Sequence, residues 1–210
     1  MMAPHWPVPR EWPGETVFVI GGGPSVLGQD LEVLRGRRVI AINSSVYAVP
    51  WADFLYFGDR RWHKYNRDAV ASFAGRVVTT SQLVADPKVL VCRKANPPGL
   101  ALEPDTLMQR WTSLTAATNL AAHLVGPGGT IVWLGADGRS AADGRTHHHQ
   151  PHRWPHNPGC HSKHRRDLAT IVPSLQRLGI AAFNASPGTA WVDLLPVISL
   201  QEVLGERIAA

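Results

Sequence analysis

Seven of the ten histidines in this 210-residue chain fall between positions 147 and 164: His147, His148, His149, His152, His156, His161 and His164. Cys160, Arg153 and Trp154 stand among them. Imidazole at that density serves three chemistries. It ligates zinc or copper, with Cys160 as a further donor, although the spacing matches no standard zinc pattern. It exchanges a proton near neutral pH, which suits a general base acting on a hydroxyl. Together with Arg153 it offsets the charge of a leaving phosphate as a loop closes. A solvated basic loop without chemistry is the plain alternative. His161 is the best-placed base, because it is expected just ahead of a helix and is held more firmly than the loop tip.

A second candidate lies near the start of the chain. Thr16-Val17-Phe18-Val19-Ile20 runs into Gly21-Gly22-Gly23-Pro24-Ser25, and Leu27, Leu31 and Leu34 follow at helical spacing. A buried strand, a tight turn and a helix start aim backbone N–H groups and a positive helix end at one spot, which suits a phosphate. The match to known fingerprints is partial. Val26 stands where Gly-x-Gly-x-x-Gly needs its third glycine, and Gln29-Asp30 follows Gly28 where a P-loop needs Lys-Ser/Thr.

The elements that must position these residues follow from the apolar runs. Strands are expected at 16–20, 38–42, 53–57, 76–80, 88–92, 130–134 and 180–183, and helices at about 26–35, 62–73, 113–125, 164–178 and 199–205. That alternation predicts a single α/β, Rossmann-like domain over 15–210, with a mostly parallel sheet, helices on both faces and a His-rich lid at about 138–163. Residues 1–14, rich in Pro and Trp, read as an extended arm. Ligands of such sheets collect beyond the carboxyl ends of the strands. The residues there are Gly21 to Ser25, Asn43-Ser44-Ser45, Gly58-Asp59, Gly135-Ala136-Asp137 and Asn184-Ala185-Ser186. Each set is also what a turn prefers, but five on one edge point to a binding rim.

A formal charge of +5 and a pI near 9.7 lean towards an anionic partner, with no lysine or arginine block of the kind a nucleic-acid tail carries. Cys92 and Cys160 form no framework, so free thiols are expected. No stretch reads as a signal peptide or a membrane span, which predicts a cytoplasmic protein. Oligomeric state is not legible in the sequence.

With these residues in view, the chain resembles the compact bacterial sialyltransferases of the Campylobacter type, and a wider set that includes 6-hydroxymethylpterin diphosphokinases and phage proteins. Gly21-Gly22-Gly23-Pro24-Ser25 resembles the family's Gly-Asn-Gly-Pro-Ser turn, which holds the nucleotide phosphate. Asn43 stands where the family has an asparagine after the second strand. Arg110-Trp111-Thr112-Ser113 resembles its Arg-x-Thr-Ser helix start, and Gly135-Ala136-Asp137 its Gly-x-Asp. His161-Ser162-Lys163 resembles the His-Ser-Lys behind its mobile lid, whose histidine is the proposed base. The chain departs from the pattern at Gly22 and Asp59, where the family has asparagines, and at Leu114, where it has glycine. Residues 138–163 also lack the family's lid tyrosines, whose place His148 or His152 would take.

The resemblance implies a glycosyltransferase that moves a sugar from a nucleotide-activated donor to an acceptor hydroxyl on a glycan, a small molecule or a modified DNA base. Gly23 to Ser25, Thr112 and Ser113 would hold the phosphate and Arg110 would offset its charge. Asn43, Ser44 and Asp59 would orient the nucleoside or sugar, with His161 as base. His148, His152, Arg153 and His156 would belong to the lid. That reading requires no metal. A diphosphokinase would require Mg2+, with Asp59 and Asp137 as ligands, whereas His147 and His149 are the candidates for a softer metal. A non-catalytic nucleotide- or nucleic-acid-binding module is the third reading.

Overall fold

The computed structural model describes residues 5–150 and 159–205. His152, Arg153 and His156 lie outside the described residues. Nine strands and five α-helices follow in chain order among those residues: β1 (Thr16–Ile20), β2 (Arg38–Ile42), β3 (Phe54–Phe57), α1 (Arg60–Tyr65), α2 (Arg67–Ser72), β4 (Arg76–Thr79), β5 (Val89–Val91), β6 (Arg93–Ala95), β7 (Thr106–Met108), α3 (Ser113–Val125), β8 (Thr130–Leu134), α4 (Cys160–Arg177), β9 (Ala181–Asn184) and α5 (Leu200–Leu204). Seven strands form one parallel sheet in the order β5-β4-β3-β2-β1-β8-β9, and β6 pairs with β7 in a separate parallel ribbon. The protein is an α/β, Rossmann-like fold.

Period-two alternation builds a core on each face of the sheet. Val17 and Val19 of β1, Ile40 of β2, Phe54 and Tyr56 of β3, and Ile131 and Trp133 of β8 pack with Leu120, Leu124, Leu168 and Ile171 of α3 and α4. Phe18, Ile20, Val39, Leu55, Phe57, Val132 and Leu134 alternate with them. They pack on the other side with Leu31, Leu34, Trp62, Val70 and Leu200.

Three expected helices differ. The segment 26–35 is two short 3-10 turns, Pro24–Gly28 and Leu31–Leu34, because Asp30 takes the Glu32 N–H and ends the first turn. Leu27, counted as part of an apolar stripe, is 55% exposed. The segment 62–73 breaks at Asn66 into α1 and α2, and α1 starts earlier, at Arg60, where Asp59 caps it. The third, expected from 164, begins at Cys160, so His161 lies within its first turn rather than ahead of it, and residues 160–163, expected in a loop, belong to the helix. Strands β6 and β7 carry no apolar alternation long enough to announce them.

The described part of the N-terminal arm packs on its own domain. The Trp6 N–H donates to the Val91 carbonyl at 2.9 Å, that of Val8 to Pro104 at 2.8 Å and that of Trp12 to Leu124 at 3.0 Å. Val8 and Trp12 are buried, and the Trp12 ring meets Phe54 edge-on at 5.4 Å. Trp12→Ala is therefore expected to cost about 3–5 kcal/mol, the usual loss for a large buried aromatic, read as a lowered midpoint in urea denaturation.

Candidate functional site

The chain runs outward from β1 through β2 to β5, then crosses back to lay β8 on the other side of β1. The switch point between β1 and β8 is where such sheets open a crevice. The turns leaving these two strands touch backbone to backbone there. The Gly21 N–H donates to Leu134 at 2.7 Å, and the Gly23 N–H to Gly135 at 2.9 Å. A Cβ on Gly21 would stand 2.8 Å from the Gly135 carbonyl oxygen, and one on Gly23 would stand 2.5 Å from it and 2.6 Å from the Asp137 carboxyl carbon. Gly135 in turn has φ +66°, and a Cβ there would stand 2.7 Å from the Gly21 oxygen. Gly22 is less crowded, facing the rings of His147 and His149.

This turn binds a carboxylate of its own chain. Asp137 accepts from the Ser25 backbone N–H at 2.8 Å and from the Ser25 hydroxyl at 2.5 Å. Amides expected to cradle a phosphate are thus engaged at Gly21, Gly23 and Ser25, Pro24 has none, and the 3-10 turn that follows offers no long helix dipole. Burial holds the Asp137 carboxyl above its usual range, against the Ser25 bonds and the charges of Arg139 and His161. As a Mg2+ ligand or a phosphate cradle, the pair Ser25–Asp137 is already satisfied.

Around the switch point lies a cavity of about 600 Å³. Gly21, Gly22, Gly23, Gly135, Ala136 and Asp137 line it from the touching turns. Asn43, Asp59, Arg61 and Trp62 line it from beyond β2 and β3, and Thr112, Ser113 and Leu114 from the start of α3. Arg139, His147 and His149 come from the loop after β8, and Cys160, His161 and His164 from the first turn of α4. Five of the described candidate catalytic, donor-binding and lid residues are elsewhere. Pro24 and Ser25 build the turn, and Ser44 accepts from the Trp62 indole N–H at 2.9 Å. Arg110 is exposed, with its guanidinium 5.4 Å from the Trp111 ring centre. His148 lies against the turn rather than on the cavity wall, donating its backbone N–H to Gly22 at 3.0 Å, with Nε2 3.0 Å from the Ser45 hydroxyl.

The polar set after β9 braces the rim instead of lining it. Asn184 and Ser186 are fully buried; the Ser186 hydroxyl accepts from the Ala136 N–H at 2.8 Å, and Thr189 donates to the Ala136 carbonyl at 2.8 Å. Asp59 likewise serves structure: it caps α1 and takes the Arg61 guanidinium at 2.7 Å. Asn43 is different. It is the one non-glycine described residue with positive φ, +51°, and its buried Oδ1 accepts no hydrogen bond among the described residues. A constrained backbone and an unused acceptor at a cavity wall suit recognition of a ligand hydroxyl or amine.

Two helix N-termini open on the cavity. Thr112 caps the 13-residue α3, accepting from Leu114 N–H at 3.2 Å, and the 18-residue α4 begins at Cys160. Buried Asp167 of α4 accepts the Trp111 N–H at 2.7 Å and so ties the two helix starts together. Trp111, 45% exposed, stands at the edge of the cavity with the Lys163 ammonium 4.7 Å from its ring centre. Sequence reasoning passed over Arg61, Arg139 and Trp191 as site residues; nothing in their local spacing marks them, since distant segments bring them here.

No family model and no curated protein matches the chain. Among solved structures, a dehydrogenase/reductase from Sinorhizobium meliloti 1021 aligns over 94% of this chain and 81% of its own, at 17% identity and a TM-score of 0.31. A likeness at that level says nothing of what this chain does.

Two outcomes follow from the geometry. Gly23→Ala should destabilise the fold by about 1–3 kcal/mol through overpacking, whereas Gly28→Ala, whose Cβ meets open space, should stay within about 0.5 kcal/mol. Differential scanning calorimetry of the pair checks this. Burial, with His149 beside it, pushes the His148 imidazole down to about 4, and burial lowers His149 as well. The unfolded chain accepts those protons near pH 6.5 and the folded chain does not. Stability should therefore fall as pH drops below about 6.5, and the His148 part of that fall should level off near pH 4. His148→Gln should flatten that slope in urea titrations at pH 7 and pH 5.

Proposed function

We propose that this protein is a transferase that holds a nucleotide-activated donor by its phosphate and passes the sugar to an acceptor hydroxyl. The observation that carries the reading is the convergence of the α3 N-terminus and the first turn of α4 on one cavity at the switch point of the sheet. The anion site is the start of α3, where first-turn amides lack intrahelical acceptors, and Arg139 adds positive charge. Trp111 offers a face on which a base can stack, and Asn43 an acceptor for a ribose or base donor.

His161 takes the acceptor proton as the new O–C bond forms. The bond from the sugar carbon to the phosphate oxygen breaks, and the nucleotide leaves with that electron pair, its charge held by the α3 amides and Arg139. The diphosphokinase alternative draws less support, because Asp59 and Asp137 already spend their carboxylates on Arg61 and Ser25.

Calorimetry and thermal shift of the metal-stripped protein with CMP, UDP, GDP, ADP and ATP, each with and without Mg2+, test the reading. A nucleoside mono- or diphosphate should bind without Mg2+ and, at a hundred times its Kd, stabilise the fold by about 2.7 kcal/mol. Arg139→Ala should weaken that binding by about 10- to 100-fold, the loss of one charge-assisted contact. His161→Ala should keep the binding and abolish transfer. Binding of ATP only with Mg2+ would transfer the case to the diphosphokinase, and no nucleotide binding at all would refute the proposal.

A further inference from the structure

The first turn of α4 carries Cys160, His161 and His164, and their donor atoms lie within 4.8 Å of one another. Helical geometry explains the cluster: positions i, i+1 and i+4 put the thiol and the second imidazole one turn apart on one face, with His161 beside them. The two imidazole rings stand at 84° to each other, 6.4 Å apart, and all three residues line the cavity, half-buried. Donors around a tetrahedral zinc sit roughly 3.5 Å apart, as bond lengths of about 2.0–2.3 Å require, so small rotations of these side chains bring them onto one ion.

We propose that this turn is a binding site for a soft divalent transition metal, zinc in the first place, held by Cys160, His161 and His164 with a fourth position open to the cavity. One thiolate and two imidazoles select zinc, cobalt or copper over Mg2+ and Ca2+, which take oxygen ligands. Three protein ligands and an open position are the arrangement of zinc sites that accept an exogenous oxygen, here a water, a hydroxyl or a phosphate of the cavity's ligand. Binding converts the Cys160 thiol to thiolate and releases one proton, so affinity rises with pH. A helix N-terminus disfavours a cation by itself, and the thiolate formed as the metal binds brings the compensating charge.

The site shares His161 with the transferase reading. An imidazole nitrogen that donates its lone pair to a metal cannot also accept a proton, so metal loading is expected to displace His161 from that role.

Cobalt(II) titration of the metal-stripped protein, without nucleotide, tests the site independently of any activity. One equivalent should bind, with tetrahedral d–d bands and a thiolate-to-cobalt charge-transfer band, and zinc should displace it. Cys160→Ser, which changes one atom and suits a helix N-terminus, should abolish the charge-transfer band. His164→Ala should weaken binding by more than about 10- to 100-fold, the cost of losing merely an outer-shell partner. Replacing His147 and His149 together should leave the band in place. The inference is overturned if no thiolate band appears, if the band survives Cys160→Ser, or if binding is lost with His147 and His149 instead. Nucleotide binding by the metal-stripped protein is read separately, so failure of either proposal leaves the other standing.

Discussion

The approach of two backbones at the ends of β1 and β8 sets the rest of this structure. Gly21, Gly23 and Gly135 let the turns that leave adjacent parallel strands touch, with no room for a Cβ on either side. That contact delivers Asp137 beneath Ser25, where its carboxylate satisfies the amide at the start of the 3-10 turn. It also fixes where the loop after β8 departs, and so where His147 and His149 meet Gly22. Behind it, Asn184, Ser186 and Thr189 hold the Ala136 backbone through buried hydrogen bonds. A cavity wall made of backbone and braced from behind has little freedom to relax.

Satisfying the turn from within moves anion recognition elsewhere. A glycine-rich strand end followed by a long helix presents spare amides to a pyrophosphate; here the amides at Gly21, Gly23 and Ser25 have acceptors and the turn that follows is short. The long helices whose positive ends open on the cavity are α3 and α4. Their relative placement is fixed by one buried carboxylate, because Asp167 of α4 reaches across to the backbone of Trp111 just ahead of α3. Thr112, Ser113 and His161 therefore face the same space, although about fifty positions of chain separate them.

The strands were the most legible part of the chain. Runs such as Val-Phe-Val-Ile and Val-Ile-Ala-Ile are apolar on both faces, and only a sheet covered on both sides buries both. Their order along the chain predicted the parallel fold and the edge at which ligands gather. The segment after Gly23 was misread because Leu27, Leu31 and Leu34 keep helical spacing, while Asp30 competes for the backbone in a way spacing alone does not weigh. At the site, sequence located the rim but not the division of labour within it. Ser25 bonds a carboxylate 112 positions away, Ser45 meets a histidine 103 positions away, and Asn184 supports a carbonyl 48 positions away. Such partners exist only once the fold has formed, so residues that brace and residues that bind look alike beforehand.

The cavity's charge points to what completes it. The two acidic residues that line it among the described residues are engaged, Asp59 with Arg61 and the start of α1, Asp137 with Ser25. What remains facing the space is positive or neutral: two helix N-termini, Arg139 and a group of imidazoles. An anion entering there meets positive charge, whereas a cation meets it as repulsion unless it brings or creates a negative ligand. Cys160, at the first position of α4, is a described cavity residue able to supply one by losing its proton as a metal binds, against the burial that otherwise raises its thiol. The same turn can thus serve a proton or a metal, and His161 cannot hold both on one nitrogen.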